Sequence, residues 1–170
     1  SRGLGDVYKR QTVLFADSIE NNLRYSNSSA TDEQMYMAAR MSNCDSMIRK
    51  MPQGYDTQLM SEGENISQGQ RQLLSIARAF LAQPKILILD EATSSVDTRT
   101  EKHIQDAMVK LMKDRTSLII AHRLSTIQDA DLIVVMDEGR IAETGSHANL
   151  LAKKGKYYQL YMTQFAGCAT

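Results

Sequence analysis

Two acidic side chains, Asp90 and Glu91, follow the unbroken apolar run Ile86-Leu87-Ile88-Leu89. Four apolar residues in a row suit a strand covered on both faces in a parallel sheet. Carboxylates at the carboxyl end of such a strand stand where open α/β sheets place their ligands. Asp90 is suited to a magnesium ion, held directly or through water, because a hard cation prefers oxygen ligands. Glu91, one residue on, can polarise a water for attack on a phosphate. A strand ending in a solvated acidic turn would read the same way.

A second feature is Ile66-Ser67-Gln68-Gly69-Gln70-Arg71-Gln72. Ser67 and Gln70 have capping-box spacing at the start of an apolar helical pattern. A helix N-terminus carries free backbone N–H groups and a positive dipole end, so it attracts phosphate oxygens. Ser67 can add its hydroxyl, and Gly69 lets a phosphate approach the backbone. A plain helix cap has the same spacing. The third feature is His122, directly after the apolar segment Leu118 to Ala121. At the same sheet edge as Asp90 and Glu91 it can sense a terminal phosphate, although a lone histidine at a strand end is usually structural.

These residues need elements to position them. Thr31 and Gln34 open a helical stretch whose apolar residues continue to Met51, where Pro52-Gln53-Gly54 stops it, and we read two short helices there. Residues 55–65 read as loop. Leu73, Leu74, Ile76, Ala77, Phe80 and Leu81 make a wide apolar face on the helix that ends before Pro84. Then come strand 86–89, a helix over 98–112 opened by Thr98 and Glu101, strand 117–121 and strand 132–136. The turn Asp137-Glu138-Gly139 joins the last strand to Arg140 to Thr144 as a hairpin. Amphipathic helices near 147–153 and 156–165 close the pattern. Helices followed by alternating strands and helices suggest a helical subdomain inserted into an α/β core. Most of the ten methionines fall at helical spacing between 35 and 60, which predicts core filling.

Composition narrows the function classes. The 170 residues carry 20 basic and 20 acidic side chains, so no net charge draws the chain to nucleic acid or anionic lipid. The cysteines, Cys44 and Cys168, lie too far apart in sequence for a ligand-type pair. No apolar run approaches the roughly 18–20 residues of a membrane span, and no basic then apolar leader reads as a signal peptide. Taken alone this describes a soluble, intracellular domain, and the start at Ser1 suggests a piece of something longer.

In order and spacing the three features resemble the ATP-binding cassette of ABC transporters, over roughly Thr12 to Phe165. Ile66 to Gln70 resembles the signature motif, with Ile for the usual Leu and Gln68 where Gly is commoner. Ile86 to Glu91 looks like Walker B, Ser94-Ser95-Val96-Asp97 like the D-loop, and His122 like the switch histidine. Leu14-Phe15 with Ile19-Glu20-Asn21-Asn22, Gly54-Tyr55-Asp56-Thr57, His122-Arg123-Leu124-Ser125-Thr126 and Gly139 to His147 are similar to the exporter branch, of multidrug and lipid type. Met60 and Ser61 depart from it, standing where Gly and Glu are usual, in a segment that contacts coupling helices of the membrane domain in that branch.

The resemblance implies an α/β fold: part of a P-loop NTPase core with a parallel sheet, joined to the ABC helical subdomain. It implies ATP and Mg2+ as ligands, ATPase activity, and head-to-tail pairing with a second cassette. Asp90 (magnesium), Glu91 (catalytic base) and His122 would serve one site. Ser67, Gln68, Gly69 and Gln70 would contact the γ-phosphate held by the partner cassette, and Asp97 would bridge the two sites. A transmembrane domain, in the same or another chain, would be the mechanical partner, at the cytoplasmic face of the membrane; no nucleic acid is expected.

Walker A, Gly-x-x-x-x-Gly-Lys-Ser/Thr, has no match: the one Gly-Lys pair, Gly155-Lys156, is followed by Tyr157. The expected organisation is therefore a C-terminal cassette fragment, inactive alone. Residues 1–11 would be a foreign leader from an adapter or assembly join, 12–83 a Gln-loop remnant with helical subdomain and signature helix, and 84–170 the second half of the P-loop core. Gln11 runs into Thr12 where Gln-Asp is usual, so it is a weak magnesium or water ligand. Two other readings are a chromosome-maintenance or repair ATPase of ABC type, whose heptad arms are not seen here, and a short non-catalytic partner that donates only its signature face.

Overall fold

Helix starts follow from the caps that the sequence offers. The computed structural model describes residues 14–90, 96–121 and 126–166. Ser18 caps α1 (Ile19–Arg24) through a bond from the Asn21 amide, and Thr31 with Gln34 forms a complete capping box on α2 (Asp32–Met41). After α3 (Asp45–Ile48), Ser67 and Gln70 repeat the box on α4 (Gln68–Ala82). Helix α4 ends with Gln83 in the left-handed conformation, just before Pro84. Strand β1 (Ile86–Asp90) follows, then α5 (Thr98–Met112), whose cap is Asp97 rather than Thr98. A carboxylate at that position accepts from the Thr100 amide and meets the positive end of the helix.

Strands β2 (Thr116–Ile120) and β3 (Ile133–Asp137) each sit one residue from the sequence expectation. Strand β4 (Arg140–Gly145) and helices α6 (His147–Lys153) and α7 (Lys156–Ala166) complete the described order. Residues 55–65, expected as loop, contain parts of two 3-10 turns, Gly54–Asp56 and Ser61–Gly63, and one bridge from Gln58 to Ser18.

The described residues fall into two compact units: 14–87 with 96–117, and 88–90 with 118–121 and 126–166. In the first, α4 packs against α1, α2 and α5. Its apolar stripe, Leu73, Leu74, Ile76, Ala77, Phe80 and Leu81, is buried as the 3.6-residue period requires. In the second, β3 and β4 form an antiparallel hairpin with a bulge between Val135 and Met136. Glu138 and Gly139 both take positive φ, 47° and 76°, the twist-compatible two-residue turn that favours glycine at the second position. Ile133, Val135, Leu150 and Tyr157 form its core, and Glu143 caps α7 by accepting from the amides of Lys156 (2.7 Å) and Tyr157 (3.1 Å).

Strands β1 and β2 pair in a parallel α/β arrangement, with α5 between them in the chain. Two expectations are corrected. Strand β1 is not covered on both faces: Leu87 is buried, but Ile86 and Ile88 are 67% and 68% exposed, and Leu118 and Ile120 of β2 are exposed as well. A strand places alternate side chains on opposite faces, and among the described residues only one face of this sheet has cover. Nor are the methionines mainly core: Met35 is buried, whereas Met37, Met41 and Met60 are exposed.

Candidate functional site

The amino end of α4 is built by reciprocal bonds. The Gln70 amide donates to Ser67 Oγ at 3.2 Å, and the Ser67 amide donates to Gln70 Oε1 at 2.8 Å. Ser67 is exposed, and its Oγ uses an acceptor lone pair, so the hydroxyl proton stays available for an incoming oxygen. The Gln70 side chain folds back on the cap. The first turn holds no acidic side chain, which leaves its positive dipole end without an internal counter-charge. Serine, amides and dipole together suit an anion such as a phosphate.

Gly69 has a different reason for being glycine than the sequence suggested. It is buried, and a Cβ there would lie 2.5 Å from Thr100 Cγ2 and 3.0 Å from Val96 Cγ1. The missing side chain makes room for α5. Behind the turn, Arg71 Nη1 donates to the carbonyls of Gly63 (3.1 Å) and Ile66 (3.3 Å), which fixes the approach into α4.

Asp90 is exposed at the carboxyl end of β1, and its carboxylate oxygens are of the type a hard cation prefers. No cluster of three metal-ligating side chains exists among the described residues, so an ion at Asp90 would draw further ligands from elsewhere, as magnesium does with waters and phosphates. Glu91, His122 and Gln11 lie outside the described residues. Asp97 is the cap of α5, and the amide and hydroxyl of Thr100 hold its carboxyl below the usual range.

Sequence reasoning named Phe15 and Asn22 only within a resemblance and did not read how they tether the segment preceding α1. Buried Asn22 accepts from the Phe15 amide at 2.8 Å through Oδ1 and donates from Nδ2 to the carbonyls of Phe15 and Ser18, both at 3.0 Å. Arg78 on α4 donates to the Asn22 carbonyl (3.0 Å) and Oδ1 (3.1 Å), with its guanidinium 5.6 Å from the ring centres of Phe15 and Tyr25. Arginine at the centre of an otherwise apolar helix face was the available signal. Asp45 likewise gathers the Tyr55 hydroxyl (2.6 Å) and both carboxylate bonds from Arg49 Nε (3.0 Å). Burial would raise its carboxyl, but these partners outweigh that and lower it.

A family model described as ABC transporter matches residues 3–94. An uncharacterised ABC transporter ATP-binding protein of Bacillus subtilis is 53% identical over 92% of this chain and 26% of its own length. An ATP-dependent lipid A-core flippase of Syntrophus aciditrophicus is 48% identical over 94% of this chain and 26% of its own. A bacterial Atm1-family ABC exporter solved with ATP bound superposes with a TM-score of 0.82, at 42% identity, over 91% of this chain and 27% of that one. The chain thus spans about a quarter of the length of these relatives.

Proposed function

The chain belongs to the ABC transporter family, and we propose that it is the signature-bearing part of an exporter's ATP-binding cassette. The observation that carries this reading is the amino end of α4, with Ser67 exposed, its box closed and its first turn free of acid. In this reading Ser67, Gln68, Gly69 and Gln70 contact the terminal phosphate of ATP seated on a second cassette. Asp90 supplies an oxygen to magnesium, Glu91 accepts the proton of the attacking water, and His122 senses the phosphate. Asp97 bridges the two sites. Magnesium neutralises phosphate charge when bound.

Contacts made only while the phosphate is present favour a closed cassette pair, and their loss after hydrolysis reopens it. That switch would drive a transmembrane domain from the cytoplasmic side of a membrane. Among the described residues no helix is long and apolar enough to cross one, so substrate choice would rest with other segments. Residues 12–83, with the helical subdomain and signature helix, would answer to the membrane domain, and 84–170 would carry the hydrolytic groups.

The test is a chimera in which residues 14–166 replace the matching stretch of the Bacillus subtilis relative. The chimera should hydrolyse ATP, and Glu91→Gln should reduce turnover by about 10²–10⁴-fold, the usual contribution of a positioned base. Unchanged turnover in that variant would remove Glu91 from the mechanism. The 170-residue chain alone should release no phosphate, since no Walker A sequence is present to cradle ATP.

A further inference from the structure

The α4–α5 contact joins two sequence features that the chain presents separately. Asp97 Oδ1 accepts from the Thr100 amide at 3.0 Å. A β-branched side chain is stiff at χ1, so the Thr100 methyl has little freedom to move aside. That methyl sits against Gly69, where a Cβ would be only 2.5 Å away. Val96, next to Asp97 in the chain, approaches the same point at 3.0 Å. Further along, α5 is also tied to the turn after α2, where Asn43 Nδ2 donates to the His103 carbonyl at 3.0 Å.

We propose that Thr100 is a positioning residue: gripped by Asp97 and seated on Gly69, it makes the 96–97 segment and the first turn of α4 move as one unit. The contact is side chain to backbone with no slack, so displacing Asp97 displaces the amides at Gly69 and Gln70. Any ligand that meets Asp97 then registers at the α4 turn, and the reverse holds by linkage. The inference rests on the reading that 67–70 face a phosphate, and it names what sets their position relative to the 96–97 loop.

The experiment uses the purified 170-residue chain without nucleotide, as wild type, Gly69→Ala, Thr100→Ser and the double variant. Thr100→Ser keeps the hydroxyl and the amide bond to Asp97 and removes only the methyl. Gly69→Ala should lower the melting midpoint by about 3–6 °C through overpacking. The double variant should recover at least half of that loss, because the added methyl fills the vacated space. Hydrogen exchange of the 70–72 amides should quicken about threefold in Thr100→Ser, with the β3–β4 amides unchanged. No rescue in the double variant, or no selective change at 70–72, would overturn the proposal. If Gly69→Ala fails to fold, the exchange measurement on Thr100→Ser decides alone. Neither readout involves ATP, so their failure is distinct from failure of the chimera.

Discussion

The two units solve burial differently. In the first, α4 is enclosed by α1, α2 and α5, and several polar groups left inside are bonded: Asn22 to the 15–18 segment, Arg78 to Asn22, and Ser42 Oγ to the Ala39 carbonyl. In the second, the core is four residues around one hairpin, while Ile88, Leu118, Ile120, Leu132, Val134, Met136 and Ile141 remain exposed. A helix needs one apolar stripe covered, which neighbouring helices do locally. A parallel sheet needs cover on both faces, and in the described residues it has one. The lesson is that the capped first turn of α4 sits in the self-sufficient unit, whereas Asp90 ends a strand whose cover is incomplete.

The sharpest way to break this comparison is to remove one leucine from each core. Leu74→Ala should cost about 2–5 kcal/mol and lower protection throughout α1, α2 and α4, since Leu74 is 1% exposed. Leu150→Ala, at a fully buried position in the second unit, should release the β3–β4 hairpin in hydrogen exchange while α4 keeps its protection. Uniform loss in both variants would show one cooperative core instead of two.

A smaller effect concerns pH. The Asp45 carboxyl is held low in the folded chain, so its stabilisation is present above the unfolded-state value of about 3.9 and disappears as pH falls through the lower folded-state value. Asp45→Asn should therefore lower the melting midpoint at pH 7 and flatten its fall below about pH 4. An unaltered acid limb in that variant would separate Asp45 from the acid sensitivity of the first unit.

The smallest expected change tests the open face. Ile88→Lys, at 68% exposure, should shift stability by no more than about 0.5 kcal/mol and raise solubility. A larger loss in thermal melts would show that the face is covered in solution, and the contrast between the units would weaken.

Much of this was legible in the residues because it depends on neighbours a few positions apart. Thr31 with Gln34, Ser67 with Gln70, and Glu138 with Gly139 each specify a cap or turn through local bonds, and each formed as read. The family resemblance was equally local, carried by short runs at 66–70 and 86–91. The Asp97 cap was misplaced by one residue because Thr98 and Asp97 are both good caps, and only the bond to Thr100 distinguishes them.

What the sequence by itself determined is where helices and strands begin, and which family's motifs the chain carries, because periodicity and capping are read within one or two turns. What only the tertiary structure decided is which neighbour each side chain meets across the chain. Gly69 is glycine because Thr100 arrives from another helix, Asn22 is buried because Arg78 reaches it from α4, and Ile88 is exposed because no described element lies over it. The first two contacts join residues 31 and 56 positions apart, and their geometry is set by packing, which no local pattern of residue types encodes.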